Sequence, residues 1–361
     1  MNFWTDGWGR VVTLFSVPWG VPPGGRLTLT SGTPVTTSDV TNAATLYYTP
    51  YIANTIGLWN GISWQNLTFL ETSLACSSFA TQAMATTGNT TSGTQTITGI
   101  PSTTGLSVGN LVDSANFPNG STIITVNSST QVTVNNNATA TSTGVAVRFY
   151  YAIYDIFGKL DPANGLVLSG LAWTNLTARA TTLALTDGHL TLTTDKTKLY
   201  LGTVMLTLAQ QSGTTAATDS AGLRGVWNYY NRKARALLWS TGGAWTYGPA
   251  GWRQAGGNPA AVVAWVSGVM EEPVWLQVSG QQNNSVGVAG NYGIGIDSTT
   301  TNSSDSANEN AVGGGGGTIN VCVANYNRFV PIGYHYGAWI EYGRAGTFQA
   351  VTGTMRGTIQ G

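Results

Sequence analysis

Asp, Glu, Lys and Arg supply only 8% of the 361 residues, where a soluble domain usually devotes about a quarter of its chain to them. Thr, Ser, Asn and Gly fill the gap and alternate with Val, Ile, Leu and aromatics in short runs. Such a chain cannot rely on charge for solubility and has few groups able to move protons, so it reads as β-structure built for packing and assembly. Disorder is a poor fit, because disordered chains combine weak hydrophobicity with strong net charge. Here 42% of residues are hydrophobic, and fifteen basic and fifteen acidic side chains cancel. The balance provides no overall field to draw in nucleic acid or an anionic membrane. Near-zero net charge also favours self-association.

The pattern divides the chain into four parts. Residues 1–25 form an aromatic arm in which Trp4, Trp8, Phe15 and Trp19 stand among glycines and end in Val21-Pro-Pro-Gly-Gly25. Large aromatics are costly to leave in water, so this arm is expected to pack on its own domain or to dock into a neighbouring subunit. From Arg26 the period becomes two, as in Leu27-Thr-Leu29-Thr30, with Ser31-Gly-Thr-Pro34 and Asn60-Gly61 supplying turns. Within residues 85–147 Asp113 is the single charged side chain, and tryptophan and tyrosine are missing. The aromatic pattern resumes directly afterwards at Arg148-Phe-Tyr-Tyr-Ala-Ile-Tyr154, which marks 85–147 as a small β-module inserted into a domain of 26–84 and 148–237. One helix is expected over 175–185, where Leu176, Ala180, Leu183 and Ala184 have helical spacing and Asp187-Gly188 supplies a stop. Residues 238–361 are Trp- and Gly-rich and read as an antiparallel, jelly-roll-like β-sandwich. The fold class is therefore mainly β, with β-sandwich domains and one short helix.

Cys76 and Cys322 fit no metal or redox spacing and are expected to be buried free thiols. The start lacks a basic n-region, and the apolar run 11–17 stops at Pro18, too short and poorly flanked for a signal peptide or a membrane helix.

Several separated stretches match a family. Arg26-Leu-Thr-Leu-Thr-Ser-Gly-Thr-Pro-Val35, Leu46-Tyr-Tyr-Thr-Pro-Tyr-Ile52 and Tyr154-Asp-Ile-Phe157 are three of them. Trp173-Thr-Asn-Leu-Thr-Ala-Arg-Ala180, Tyr200-Leu-Gly-Thr203 and Val226-Trp-Asn-Tyr-Tyr-Asn-Arg232 complete the set. In order and spacing they resemble a β-rich module of structural proteins from tailed bacteriophages. The insertion is similar to a short repeat of phage tail and surface proteins, through Thr104-Gly-Leu-Ser-Val-Gly109, Pro118-Asn-Gly-Ser-Thr122 and Ser129-Thr-Gln-Val-Thr-Val134. The resemblance implies a virion component made in the bacterial host cytoplasm, often trimeric, usually a tail fibre or other surface appendage that contributes to host attachment. It carries over no catalytic residue.

Candidate sites are sparse. His189 follows a turn and reads as a plain surface histidine, while His335 lies in Tyr334-His-Tyr336. Glu271-Glu272 before Pro273 reads as a solvated turn, and no nucleophile, phosphate-loop or zinc spacing occurs. The arginines of 224–235 are expected to bridge to carboxylates rather than to contact nucleic acid. Trp245, Tyr247, Trp252, Tyr334, His335 and Tyr336 are candidates for glycan binding, because ring faces cover apolar C–H patches while nearby amides bond hydroxyls; core packing is the plain alternative. The expectation is a non-enzymatic protein without cofactor or metal, whose partners are itself, other virion proteins of tail or capsid and host surface glycan, with no nucleic-acid binding and no membrane insertion. Trp4, Trp8, Phe15 and Trp19 would attach it to the particle. A head fibre or capsid-decoration protein is the alternative, and a glycan-degrading tailspike a more distant one.

Overall fold

Alternation of small polar with apolar residues is realised as strands along the whole chain. The computed structural model describes residues 3–5, 11–13, 20–209, 214–284, 290–307, 320–343 and 348–361, and it is mainly β with several antiparallel sheets. In the arm, Phe3–Thr5 pairs with Val11–Thr13, setting Trp4 opposite Val12. Trp8, Phe15 and Trp19 lie outside the described residues, as does the five-glycine run at 313–317.

Three hydrophobic cores organise the rest. The first is built around Leu27, Tyr48, Tyr154, Phe157, Tyr200 and Trp227. Its spine is the strand Asp195–Ala209, in which Leu199 to Leu206 are all buried. Continuous burial of both faces is what an apolar run without alternation encodes. The second core is gathered around Trp265, Leu276, Tyr292, Trp339 and Met355. The third lies within the module and comprises Ile97, Val112, Val132 and Phe149 among others.

The module is tied in by its own stem. Gln82–Thr90 and Ser142–Tyr150 pair antiparallel, with Met84 opposite Phe149 and Ala85 opposite Arg148. The backbone N–H of Tyr151 donates to Thr81 O at 3.1 Å, so the chain leaves beside the place where it came in. A long insertion between paired strands asks little of the host fold, because loop closure costs rise only slowly with length.

In the C-terminal part the chain runs between two facing sheets, crossing from one to the other several times. Ala234–Thr241, Pro273–Asn284, Asn320–Phe329 and Phe348–Gln360 make one sheet. Trp252–Gln254, Val262–Ser267, Asn291–Ile296 and Gly333–Tyr342 make the other. Val262–Ser267 also pairs in parallel with Leu223–Arg224. Its consecutive residues Trp265 and Val266 therefore point into the second and first cores respectively, as strand alternation requires.

The helix expected over 175–185 does not form. Residues 174–182 are a loop, and Leu183–Thr186 is a strand paired with His189–Leu192. Asp187 and Gly188 do not end a helix but turn this hairpin, with φ of +49° and +82°, the geometry of a type I′ turn. The single α-helix among the described residues is one turn, Cys76–Phe79. Cys76 and Cys322 are buried and form no disulfide, and burial pushes the Cys76 thiol up to about 11.

The separated stretches that resemble the phage module interlock. Asp155 accepts Nε of Arg179 at 2.6 Å, Nη2 at 3.3 Å and the Thr203 hydroxyl at 2.8 Å. Arg179 also donates to Tyr200 Oη at 3.1 Å and lies 4.7 Å above the Trp173 ring. In a second joint, the Asn228 side-chain amide accepts the Leu27 N–H at 2.6 Å and donates to the Leu27 carbonyl at 3.2 Å. Arg26 donates to the carbonyls of Asn231 and Gly361. Burial and the neighbouring Arg235 pull Arg26 down to about 10.

Candidate functional site

An open cleft of about 470 Å³ lies where the inserted module, the 174–182 loop and the C-terminal sandwich meet. Its floor is set by Gly333–Tyr342. Strand alternation puts Tyr334 and Tyr336 on one face and His335 on the other, and both tyrosines line the cleft.

Leu176 fixes the geometry. Its carbonyl accepts the Tyr334 N–H at 2.8 Å. A side chain at Gly333, where φ is +124°, would meet that same carbonyl at 2.4 Å. On the module side, a Cβ at Gly109 would meet the Leu176 side chain at 2.3 Å. Two glycines, one from each neighbour, thus admit a single leucine. Next to it, Asn175 Oδ1 accepts the Thr177 N–H at 2.9 Å, an Asx turn that holds the amide at the rim.

Asp297 completes the wall in a left-handed conformation with φ of +52°. Its Oδ1 accepts the Tyr336 N–H at 3.0 Å, and Oδ2 meets His335 Nδ1 at 2.7 Å. The carboxylate remains 45% exposed toward the cleft. Burial, then the neighbouring Tyr336 and Asp297, push the Tyr334 phenol up to about 12. Burial and Asp297 raise Tyr336 as well. Both phenols therefore remain protonated hydrogen-bond donors at neutral pH. The cleft combines two aromatic faces, a carboxylate acceptor and an amide, with the exposed side chain of Val108 on the opposite lip. This chemistry suits a small polyhydroxylated ligand.

The six aromatic candidates do not share one surface. His335 is buried, and its Nε2 faces Pro331 O at 3.0 Å while Nδ1 faces Asp297, so it supports the cleft from behind. Trp252 pairs opposite Tyr342, eight residues from Tyr334 and so roughly 26 Å along the strand. Trp245 donates its indole N–H to Glu341 at 2.5 Å and packs edge-on against Trp339. Arg253 donates to the other oxygen of Glu341 at 2.8 Å and covers the Tyr247 ring at 3.9 Å. These residues form a half-buried polar knot around the buried Glu341 at the far end of the sandwich.

Other expectations resolve as follows. His189 follows the turn as the first residue of its strand but is not a surface residue: it is 4% exposed, with Nε2 on Gly20 O at 2.8 Å and the Trp64 ring 4.5 Å away. The arginines of 224–235 meet carboxylates of their own chain. Arg224 and Arg235 share Asp219 at 3.6 and 2.7 Å, and Arg232 holds Glu271 and Glu272. Among the described residues no group of His, Cys, Asp and Glu is placed to hold a metal, and no helix is long and apolar enough to cross a membrane. Sequence reading did not select Val108, Asn175, Leu176 or Asp297. Leu176 lay in the Trp173–Ala180 stretch but was assigned to a helix, and Asp297 carried no local signal.

No protein-family model matches the chain, and no curated protein matches it. Among solved structures, that of the infectious bursal disease virus Gx strain shares 11% identity at a TM-score of 0.25, covering 78% of this chain and 72% of that one. The VP2 subviral particle of the same virus shares 12% at 0.25, covering 78% and 73%. At this similarity neither assigns the chain a fold family or an activity.

Proposed function

We propose that this chain is a structural component of a tailed-phage virion, a tail fibre or fibre-like surface protein that acts as an oligomer and does no catalysis. The observation that carries this reading is the interlocking of the resemblance stretches. Asp155, Trp173, Arg179, Tyr200 and Thr203 come from three of them yet meet in one constellation. Chance matches of low-complexity strings have no reason to meet in space. The cleft of Tyr334 and Tyr336 would face outward and contact host glycan, and the aromatic arm would attach the protein to the particle.

Labelling this chain on particles tests the reading. A few copies at one vertex are expected for a tail fibre, and many copies over the shell would favour the head-fibre or decoration alternative. Particles without label would overturn the virion role. Deleting residues 1–25 should abolish incorporation, and unchanged incorporation removes the arm's role. The tailspike alternative predicts oligosaccharide release from host polysaccharide, which this reading expects to be nil.

A further inference from the structure

The sheet formed by Ala234–Thr241, Phe348–Gln360, Pro273–Asn284 and Asn320–Phe329 has an outer face nearly free of charge. Its outward positions alternate with core residues such as Leu276, Met355 and Ala324. They are occupied almost entirely by Thr, Ser, Asn, Gln and apolar residues. Trp275 is on this face and is the only described tryptophan in the exposed class, at 36%. Register places Trp275 opposite Thr358 on one side and Asn327 on the other. Arg356 stands one step along, between Leu238 and Gln277. That makes it a diagonal neighbour of Trp275, about 7 Å away between side-chain bases.

Arg356 is exposed and has no hydrogen-bond or ion-pair partner among the described residues. Among the described arginines this is the exception, since Arg26, Arg148, Arg179, Arg224, Arg232, Arg235, Arg253 and Arg328 are all engaged. The described outward positions of the sheet include no Asp or Glu. Glu271 and Glu272, just before the sheet begins, are held by Arg232.

We propose that this face is a second binding surface, specific for a carboxylate-bearing saccharide such as a uronic acid. The pyranose would lie on the Trp275 ring, amides of Gln277 and Asn327 would reach its hydroxyls, and its carboxylate would pair with Arg356. A guanidinium fork matches a carboxylate in two parallel hydrogen bonds, and an aromatic face suits the apolar side of a sugar ring. Charge complementarity decides against a second copy of this chain as the occupant. An isologous contact would set the same patch on itself, burying Arg356 with no acid from either copy, and an unpaired buried charge is strongly destabilising. The inference does not depend on the virion reading or on the Tyr334 cleft.

Calorimetric titration of the full chain with tetramers of galacturonate, glucuronate and mannuronate tests it, with neutral galactose and glucose oligomers of equal length as comparators. Saturable binding of at least one uronate is expected, with the neutral oligomers markedly weaker. Arg356→Gln and Trp275→Ala should each weaken binding about tenfold or more. Arg328→Gln removes the same charge from an exposed pair with Asp305 and should leave binding intact. Mass measurements and melting curves on each variant accompany the titration. Absence of binding to all three uronates, equal binding of the neutral oligomers, or retained affinity in Arg356→Gln would each overturn the proposal. So would a drop in assembly mass in either variant, since that would make the face a subunit contact.

Discussion

At the scale of residues, the shortage of charge concentrates meaning in the few charges present. Asp155 and Arg179 are buried with two hydrogen bonds between them, so removing one partner strands the other. Arg179→Ala is expected to cost about 3–5 kcal/mol of unfolding free energy. Arg328→Ala breaks an exposed pair with Asp305 and should cost less than about 1 kcal/mol. Urea denaturation of both variants checks the contrast, and equal costs would contradict it. Glu341 adds a pH dependence. Burial raises it above its usual 4.5, against the opposing pull of Trp245, Arg253 and the Gly256 N–H. The folded chain therefore holds this proton more tightly than the unfolded chain does. Its contribution is present at low pH and is lost as pH rises through the folded value. The stability of the native chain minus that of Glu341→Gln is a signed gap that should become more positive as pH falls from neutral to below 4.5. Denaturation series across that range test the sign, and a gap that becomes more negative refutes it.

At the scale of elements, local sequence named strands well and named the helix wrongly, for one reason. Over 175–185 the helical spacing of leucines is real, but Leu176 is claimed by Gly109 and Gly333 on two other parts of the fold. Leu183 packs separately against the first core. Tertiary demands on individual side chains outweigh a weak propensity. The turn at Asp187-Gly188 was visible in the sequence, since Asp-Gly supports positive φ at both positions; only the element it ends was mistaken. The same junction yields a prediction. Gly333→Ala would place a methyl group 2.4 Å from Leu176 O at a φ of +124°. It should lower stability by about 1–3 kcal/mol and increase amide exchange at Tyr334, whose N–H is bonded to that carbonyl. Unchanged exchange would mean that the loop does not depend on this contact.

At the scale of the whole molecule, the module is an autonomous core on a paired stem. Replacing residues 82–150 by a short Gly-Ser turn between Thr81 and Tyr151 should leave the remaining two cores folded. Residues 82–150 contain no tryptophan, so indole fluorescence reports the rest of the chain directly. The excised protein should unfold cooperatively at a lower temperature, because Leu111 and the packing of Leu176 on Gly109 are lost. A non-cooperative melt would show that the host domain needs the insertion in order to fold.

The sequence by itself determined the β class and turns such as Asp187-Gly188, because period-two patterning and turn chemistry are local properties of the chain. Only the tertiary structure decided that His189 and His335 are buried, that the six aromatic candidates separate to opposite ends of one strand, and that Trp275 and Arg356 share an open face. Alternation specifies which side chains share a face of a strand. What covers that face is settled by strands far away in sequence, and those pairings are written in no local pattern.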